Sequence, residues 1–352
     1  NIVLREVDVL PEDLRQIIRS SVGRIHDIAN DLLARHRERR VPLPVVALPS
    51  RIETHSLAMK TNSELLSPLI ESVVTEKRLQ YRTMLDVTIE FSVAPESYGL
   101  FAQVNVAEFQ RIISNMISNA VDAVGERGRV ELTLKKHDLN VQVAISDNGK
   151  GIPPDVLPKI GQRGASFDKV DGNGLGLFHA RQMVEAWHGK IEISSMVGMG
   201  TTVSISLPGL ALPAWLAPQI VVASSTNVVA LDDDKSIHQI WVQRFSALSR
   251  TRAAHDITLH NFSTPQDVVG WYRKNWDNDK KTIFLIDYEL IGQNSNGIQL
   301  IEQLAIEKQS YLVTARFEEP EIREQCLIKH IMLIPKTMAG IVPIEVRDPA
   351  LN

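Results

Sequence analysis

The sequence predicts an α/β multidomain chain: a helical-bundle fragment, a two-layer α/β sandwich and a doubly wound (βα)5 domain, separated by two linkers. Three observations carry this. Residues 11–40 hold a broad apolar stripe at helical spacing. Residues 62–208 mix helical periods with strands that alternate apolar and polar side chains. Residues 227–345 alternate short apolar strands with helices, the pattern of a parallel sheet covered by helices.

Taken in order, Leu14, Ile18, Ile25, Ile28 and Leu32 form the first stripe, widened by Ile17, Val22, Ala29 and Leu33, and Pro11 suits a first helical turn. Residues 41–61 contain three prolines and little periodicity, so they read as a linker. A helix is expected over 63–81 and another over 107–124, where Phe109, Ile112, Ile113, Met116, Ile117 and Ala120 share a side. Strands follow at 130–134, 141–146, 190–194 and 201–207. In the last, Thr201, Val203, Ile205 and Leu207 face one way and Thr202, Ser204 and Ser206 the other. Residues 209–226 form a second proline-containing linker. The final block reads as strands at 228–231, 257–262, 282–286, 311–313 and 331–334, with helices at 236–245, 265–276, 297–304 and 319–328 between them.

Composition narrows the class. The chain has 352 residues, enough for two or three domains, with 44% hydrophobic and 23% charged residues, which excludes disordered and fibrous classes. Its 38 basic and 42 acidic residues leave a net charge of −4, so nothing pulls it globally toward nucleic acid. A single cysteine, Cys326, excludes a disulfide scaffold and a cysteine-based zinc site and fits a reducing, cytoplasmic setting. The most apolar stretch, 209–223, is too short and too broken by proline to span a membrane, so no membrane contact is expected within these residues.

Four pieces of the middle block carry chemistry. Asn115 and Asn119 stand one helical turn apart, opposite the apolar stripe. Asp147-Asn-Gly149-Lys-Gly151 follows a strand directly. A glycine-rich run holds Gly161, Gly164, Gly172, Gly174 and Gly176, interleaved with Leu175 and Leu177, and leads into a helix. Gly200-Thr201-Thr202 opens the last strand. Glycines let a backbone come close to phosphates, and a helix N-terminus attracts an anion. A carboxylate at a strand end can accept from the exocyclic amine of adenine, and an amide oxygen is a hard ligand for Mg²⁺. No Walker lysine motif is present, which excludes a P-loop.

In this order and spacing the four pieces strongly resemble the ATP-binding domain of sensor histidine kinases, in the superfamily shared with gyrase and Hsp90. The resemblance implies that Asn119 coordinates Mg²⁺ bridging the phosphates, that Asp147 recognises adenine with Thr201 in support, and that Gly149, Gly151, Gly164, Gly172, Gly174 and Gly176, with Leu175 and Leu177, shape the pocket and its lid. In the hydrolysing members a Glu one turn before the metal-binding Asn activates water. Here that position is Asn115, which cannot act as a base, and this favours phosphoryl transfer over hydrolysis.

The same resemblance calls for a phosphoacceptor histidine on a dimeric helical hairpin. His26-Asp27-Ile28-Ala29-Asn30-Asp31-Leu32 is similar to the family box, but Asp31 stands at its proline position and no second bundle helix follows Arg40. Residues 1–40 therefore read mainly as the second hairpin helix. The acceptor is expected upstream of Asn1, with His26 as the alternative.

The last block resembles a response-regulator receiver. Asp232-Asp233, Asp287, Thr314 and Lys336 fall in order at the ends of successive strands. By this resemblance Asp287 is the phosphoacceptor, Asp232 and Asp233 hold Mg²⁺ with it, and Thr314 and Lys336 bind phosphoryl oxygens. The pattern departs at four places: the stretch from Asp287 to Gly297 is longer than usual and lacks the usual Met-Pro, Thr337 and not proline follows Lys336, Leu333 occupies the aromatic switch position, and nothing after Lys336 reads as a fifth helix.

Together these readings imply a hybrid sensor histidine kinase fragment using ATP and Mg²⁺. Its expected partners are a second copy of the chain through the bundle and a downstream response regulator or phosphotransfer protein. The alternative is a nucleotide-binding interaction protein without transfer activity, or a receiver phosphatase.

Overall fold

The computed structural model describes residues 61–160, 175–248, 257–276, 281–290 and 295–347. The helix expected over 11–40 with His26, and Gly161, Gly164, Gly172 and Gly174, lie outside the described residues. The described chain falls into two compact units, one from residues up to 93 together with 100–210, the other from 94–99 together with 211 onward.

The first unit runs β1 (Asn62–Leu65), α1 (Leu66–Gln80), β2 (Val87–Val93), β3 (Phe101–Val104), α2 (Val106–Val124), β4 (Gly128–His137), β5 (Asn140–Asp147), α3 (Leu175–Ala186), β6 (Lys190–Met196) and β7 (Gly200–Leu210). The sheet order is β1-β3-β7-β5-β4-β2, with β6 also paired to β7. Only β2 and β4 run parallel. The core lies between this sheet and its helices: Ile70 and Val73 of α1, Ile113 and Ile117 of α2 and Val184 of α3 meet Leu132, Val143 and Ile205 of the sheet, all fully buried.

The sequence explains α2 closely. Asn105 caps it, its Oδ1 accepting from the Glu108 amide at 3.0 Å. Phe109, Ile112, Ile113, Met116, Ile117 and Ala120 are buried as expected, and Gly125 ends the helix at φ +70°. Burial of each such side chain stabilises the fold by about 1.5–3 kcal/mol relative to exposure.

The second unit runs β8 (Ile220–Ala223), β9 (Asn227–Leu231), α4 (Lys235–Leu248), β10 (Thr258–Phe262), α5 (Pro265–Asn275), β11 (Thr282–Asp287), α6 (Gly297–Leu304), β12 (Ser310–Thr314), α7 (Pro320–Ile328), β13 (Met332–Pro335) and β14 (Ile344–Arg347). Five strands form a wholly parallel sheet in the order β10-β9-β11-β12-β13. Strand order reverses beside β9, and sites in open sheets sit at the carboxyl ends of strands at such a point. Val228, Val229, Phe284 and Ile286 are fully buried, as strands covered on both faces require.

One difference from the sequence reading concerns the entry to the second unit. The stretch 209–226 is more than a linker. Its Ile220–Ala223 portion pairs in parallel with β14, and Trp215 and Ala217 bond to the outer edge of β13 through both backbone groups of Leu333, each at 2.9 Å. The reason is burial: Leu216, Ala217, Ile220 and Val222 are almost wholly removed from water, and an edge strand tolerates flanking proline. The β13 helix successor is absent among the described residues, as expected; a single 3-10 turn, Lys336–Met338, leads into β14 instead.

No helix among the described residues is long and apolar enough to cross a membrane. Cys326 is buried in α7, and burial pushes its thiol up to about 12, so it is chemically inert at neutral pH.

Candidate functional site

In the first unit, Asp147 closes β5, and its Oδ1 accepts from two backbone amides, Gly149 at 2.9 Å and Thr201 at 3.3 Å. Both bonds use the same oxygen, which leaves Oδ2 to accept from a ligand. Burial raises the Asp147 pKa, and the two amide bonds oppose that rise. The loop beyond it lies flat on the end of α2: a Cβ on Gly149 would stand 2.4 Å from the Ala123 carbonyl, and the Lys150 amide donates to Ala123 O at 3.1 Å.

Gly200 is fixed by the tightest approach in this region. Its φ is +115°, and a Cβ there would stand 1.8 Å from Asp147 O. Gly200→Ala is therefore expected to destabilise the first unit by roughly 2–4 kcal/mol, measured by urea denaturation.

Thr201 is buried, with its hydroxyl 2.8 Å from Ser195 Oγ. Ser195 accepts from the Ile152 amide at 2.8 Å and donates to Gly200 O at 3.0 Å. It ties the first glycine loop to the last strand, a role that one serine in an alternating strand does not announce.

Asn115 is half-buried and Asn119 exposed, on the side of α2 away from its apolar stripe. Helix α3 starts at Leu175, and Gly176 passes close to Asn115: a Cβ there would lie 3.8 Å from Asn115 Nδ2. Leu177 is half-buried and packs on the core.

One turn before Asn115, Arg111 donates to Glu108 Oε2 through Nε at 2.9 Å and Nη2 at 2.5 Å. His179 of α3 shares that oxygen at 2.9 Å and also meets Arg111 Nη2. Burial lowers the His179 pKa, and Arg111 lowers it further against the pull of Glu108. Sequence reasoning missed this cluster, although the four-residue step from Arg111 to Asn115 marks the same helix face.

In the second unit, Asp232, Asp287, Thr314 and Lys336 come together at the carboxyl ends of β9, β11, β12 and β13, all buried, with Asp233 exposed beside them. Lys336 Nζ lies 2.9 Å from Asp287 Oδ2 and 3.1 Å from Asp232 Oδ1. Asp287 Oδ1 accepts from the Glu289 amide at 3.3 Å, and Thr314 Oγ1 from the Arg316 amide at 3.0 Å. Gly297 packs against the end of β11: a Cβ on it would stand 2.0 Å from Asp287 O, and its amide donates to Tyr288 O at 3.0 Å.

One carboxylate oxygen each from Asp232, Asp233 and Asp287 lie within 4.8 Å of one another. Asp232 Oδ2 is buried without a hydrogen-bond partner. A buried acceptor left unpaired costs free energy, and a hard divalent cation held by oxygens would satisfy it, so the donor set fits such an ion. Burial and the charge of Asp232 raise the Asp287 pKa to about 8 against the pull of Lys336. Burial raises Asp232 to about 6.

The sandwich of the first unit, with its amide-held carboxylate, flat glycine loop and polar helix face, defines a nucleotide-binding domain. Comparison with known proteins specifies the kind. Residues 105–210 match the family described as Histidine kinase-, DNA gyrase B-, and HSP90-like ATPase, and this part of the chain is an ATP-binding domain of the histidine-kinase type. A probable C4-dicarboxylate sensor kinase of Halalkalibacterium halodurans is 31% identical over 151 residues, covering 42% of this chain and 27% of that protein. Sensor histidine kinase RppB of Synechocystis is 30% identical over 171 residues, covering 47% of this chain and 37% of that protein. The chain thus spans well under half the length of these relatives. Among solved structures, the catalytic domain of histidine kinase ThkA is 25% identical, covering 43% of this chain and 96% of that one, with a TM-score of 0.38.

Proposed function

We propose that this chain is the catalytic and relay part of a hybrid sensor histidine kinase. Residues 62–208 bind MgATP, the γ-phosphoryl passes to a histidine, and Asp287 receives it next. The observation that carries the reading is Asp147, fixed by two amides on one oxygen with the other left for adenine. Asn119 would hold the metal that accompanies the phosphates, and Asn115 offers no base to activate water, which favours transfer over hydrolysis.

In the first transfer the bond between γ-phosphorus and the bridging oxygen breaks, a nitrogen–phosphorus bond forms, and the imidazole loses its proton as ADP leaves. In the second, the nitrogen–phosphorus bond breaks, Asp287 gains the phosphoryl and the histidine is reprotonated. A divalent ion at Asp232, Asp233 and Asp287 would offset negative charge there, and Lys336 and Thr314 stand beside the attacked position. The reading includes a homodimer and a downstream response regulator or phosphotransfer partner.

Incubation with γ-labelled ATP tests it. A longer chain extending upstream of Asn1 is expected to carry acid-labile, base-stable label. Tight ATP binding without label in that chain favours the non-catalytic alternative. Residues 1–352 alone are expected to bind ATP without labelling themselves; efficient labelling lost in His26→Ala would move the acceptor to His26.

The acidic cluster makes a pH prediction. The folded state raises Asp287 and Asp232 above the usual carboxylate value of 3.8, so it binds protons more tightly than the unfolded chain. Their contribution to stability is therefore fully present below about pH 4 and lost as pH rises through about 6 and 8. Mg²⁺ replaces those protons, and its stabilisation of the second unit is expected to grow from pH 6 to pH 8. Melting curves with and without Mg²⁺ check this, and a gain independent of pH contradicts it.

A further inference from the structure

Helix α2 presents a polar row that does not stop at the two asparagines. Arg111, Asn115 and Asn119 are spaced four apart and share a face. The base end of the site is set by Asp147 and Gly149, which lies on the carbonyl of Ala123. From there Asn119, Asn115 and Arg111 recede in that order toward the helix N-terminus. Arg111 stands just over three turns, about 18 Å along the axis, from Ala123. An extended nucleoside triphosphate with its base at Asp147 and a phosphate at Asn119 points its terminal phosphate toward Arg111.

We propose that Arg111 is a phosphate-binding residue of the nucleotide site, held by Glu108 and His179 until a triphosphate claims it. The proposal rests on the nucleotide reading above and extends it to a residue outside the glycine and asparagine motifs. A guanidinium presents paired donors that match phosphate oxygens. It is half exposed, its side chain retaining 49% of its accessible surface, so an incoming anion can reach it. Its present partner is one carboxylate oxygen that must also serve His179, so Glu108 is shared between two claimants. His179 lies one turn beyond Gly176, which borders Asn115, so the first two turns of α3 run beside the same polar row. Transfer of Arg111 to phosphate leaves the Glu108 carboxylate with His179 among the described residues and loosens the tie between α2 and α3.

Titration of ATP, ADP and adenosine into the whole chain tests this. Arg111→Ala is expected to weaken ATP about tenfold, ADP less, and adenosine not at all. Arg111→Lys should recover part of the ATP loss. Glu108→Gln leaves the backbone amide that Asn105 caps in place and removes the competing charge, so it should tighten ATP severalfold. An equal loss for all three ligands, no loss in Arg111→Ala, or weaker ATP binding in Glu108→Gln overturns the proposal while the nucleotide reading stands. Wild-type protein that binds adenosine and ADP but gains nothing from the third phosphate also overturns it. Failure of the wild type to bind any of the three sinks the nucleotide reading itself.

Discussion

Asp147→Asn is expected to lower ATP affinity by about 100-fold and leave the first unit folded. The amide oxygen of Asn can still accept from Gly149 and Thr201, so the loop and strand stay joined. The other carboxylate oxygen becomes an NH₂ group and faces the adenine amine donor to donor. An attraction to a charged acceptor is replaced by a repulsion at a half-buried position, where water offsets little of it. Calorimetric titration measures the loss, and denaturant midpoints verify the fold. Guanine nucleotides, which present a carbonyl at that position, should lose far less; an equal loss for both bases would show that Asp147 holds the loop and does not read the base.

Asp287→Asn carries the second large effect, with opposite signs for chemistry and stability. Acyl phosphate needs a carboxylate, so in the chain extended upstream of Asn1 the base-labile label should fall below about 1% of wild type. The second unit should at the same time become more stable by about 1 kcal/mol or more at pH 8, because a desolvated negative charge beside Asp232 has been removed. Lys336 keeps Asp232 as a partner at 3.1 Å, so its charge is not left unpaired. At pH 5.5 Asp287 is already protonated in the folded state, and the stability difference should shrink. Label that survives the substitution would remove Asp287 as acceptor; a gain that stays constant with pH would mean that burial does not hold its proton.

Much of this architecture is legible in the residues because local pattern and tertiary environment agree. The stripe of α2 and the alternation of β7 each report one buried face, and the structure buries Ile113, Ile117, Ile205 and Leu207 accordingly. The apolar runs at 228–231 and 284–286 report strands covered on both faces. Asp232, Asp287, Thr314 and Lys336 meet because the ends of parallel strands gather whatever side chains stand there.

What stayed hidden depends on distant pairing. Proline marked 209–226 as a linker, yet its apolar residues are buried once β14 and the edge of β13 supply partners. Ser195 shows nothing until Thr201 and Ile152 are brought to it. Glu108 and His179 are 71 residues apart, and no local period links them.

The pairing of β8 with β14 has a consequence for how the second unit comes into being. Ile220 stands opposite Ile344, so the first strand of the unit waits for its last. During synthesis at about 5–20 residues per second, the backbone edge of β8 that pairs with β14 has no strand partner for several seconds after it leaves the ribosome. The five-stranded sheet can assemble in that interval, but the clasp cannot close. Contacts of such long sequence separation also slow folding itself. The emerging chain therefore passes through a stage in which the β14-facing edge of β8 is unpaired, and a holding chaperone or a slowed ribosome is expected to matter most then.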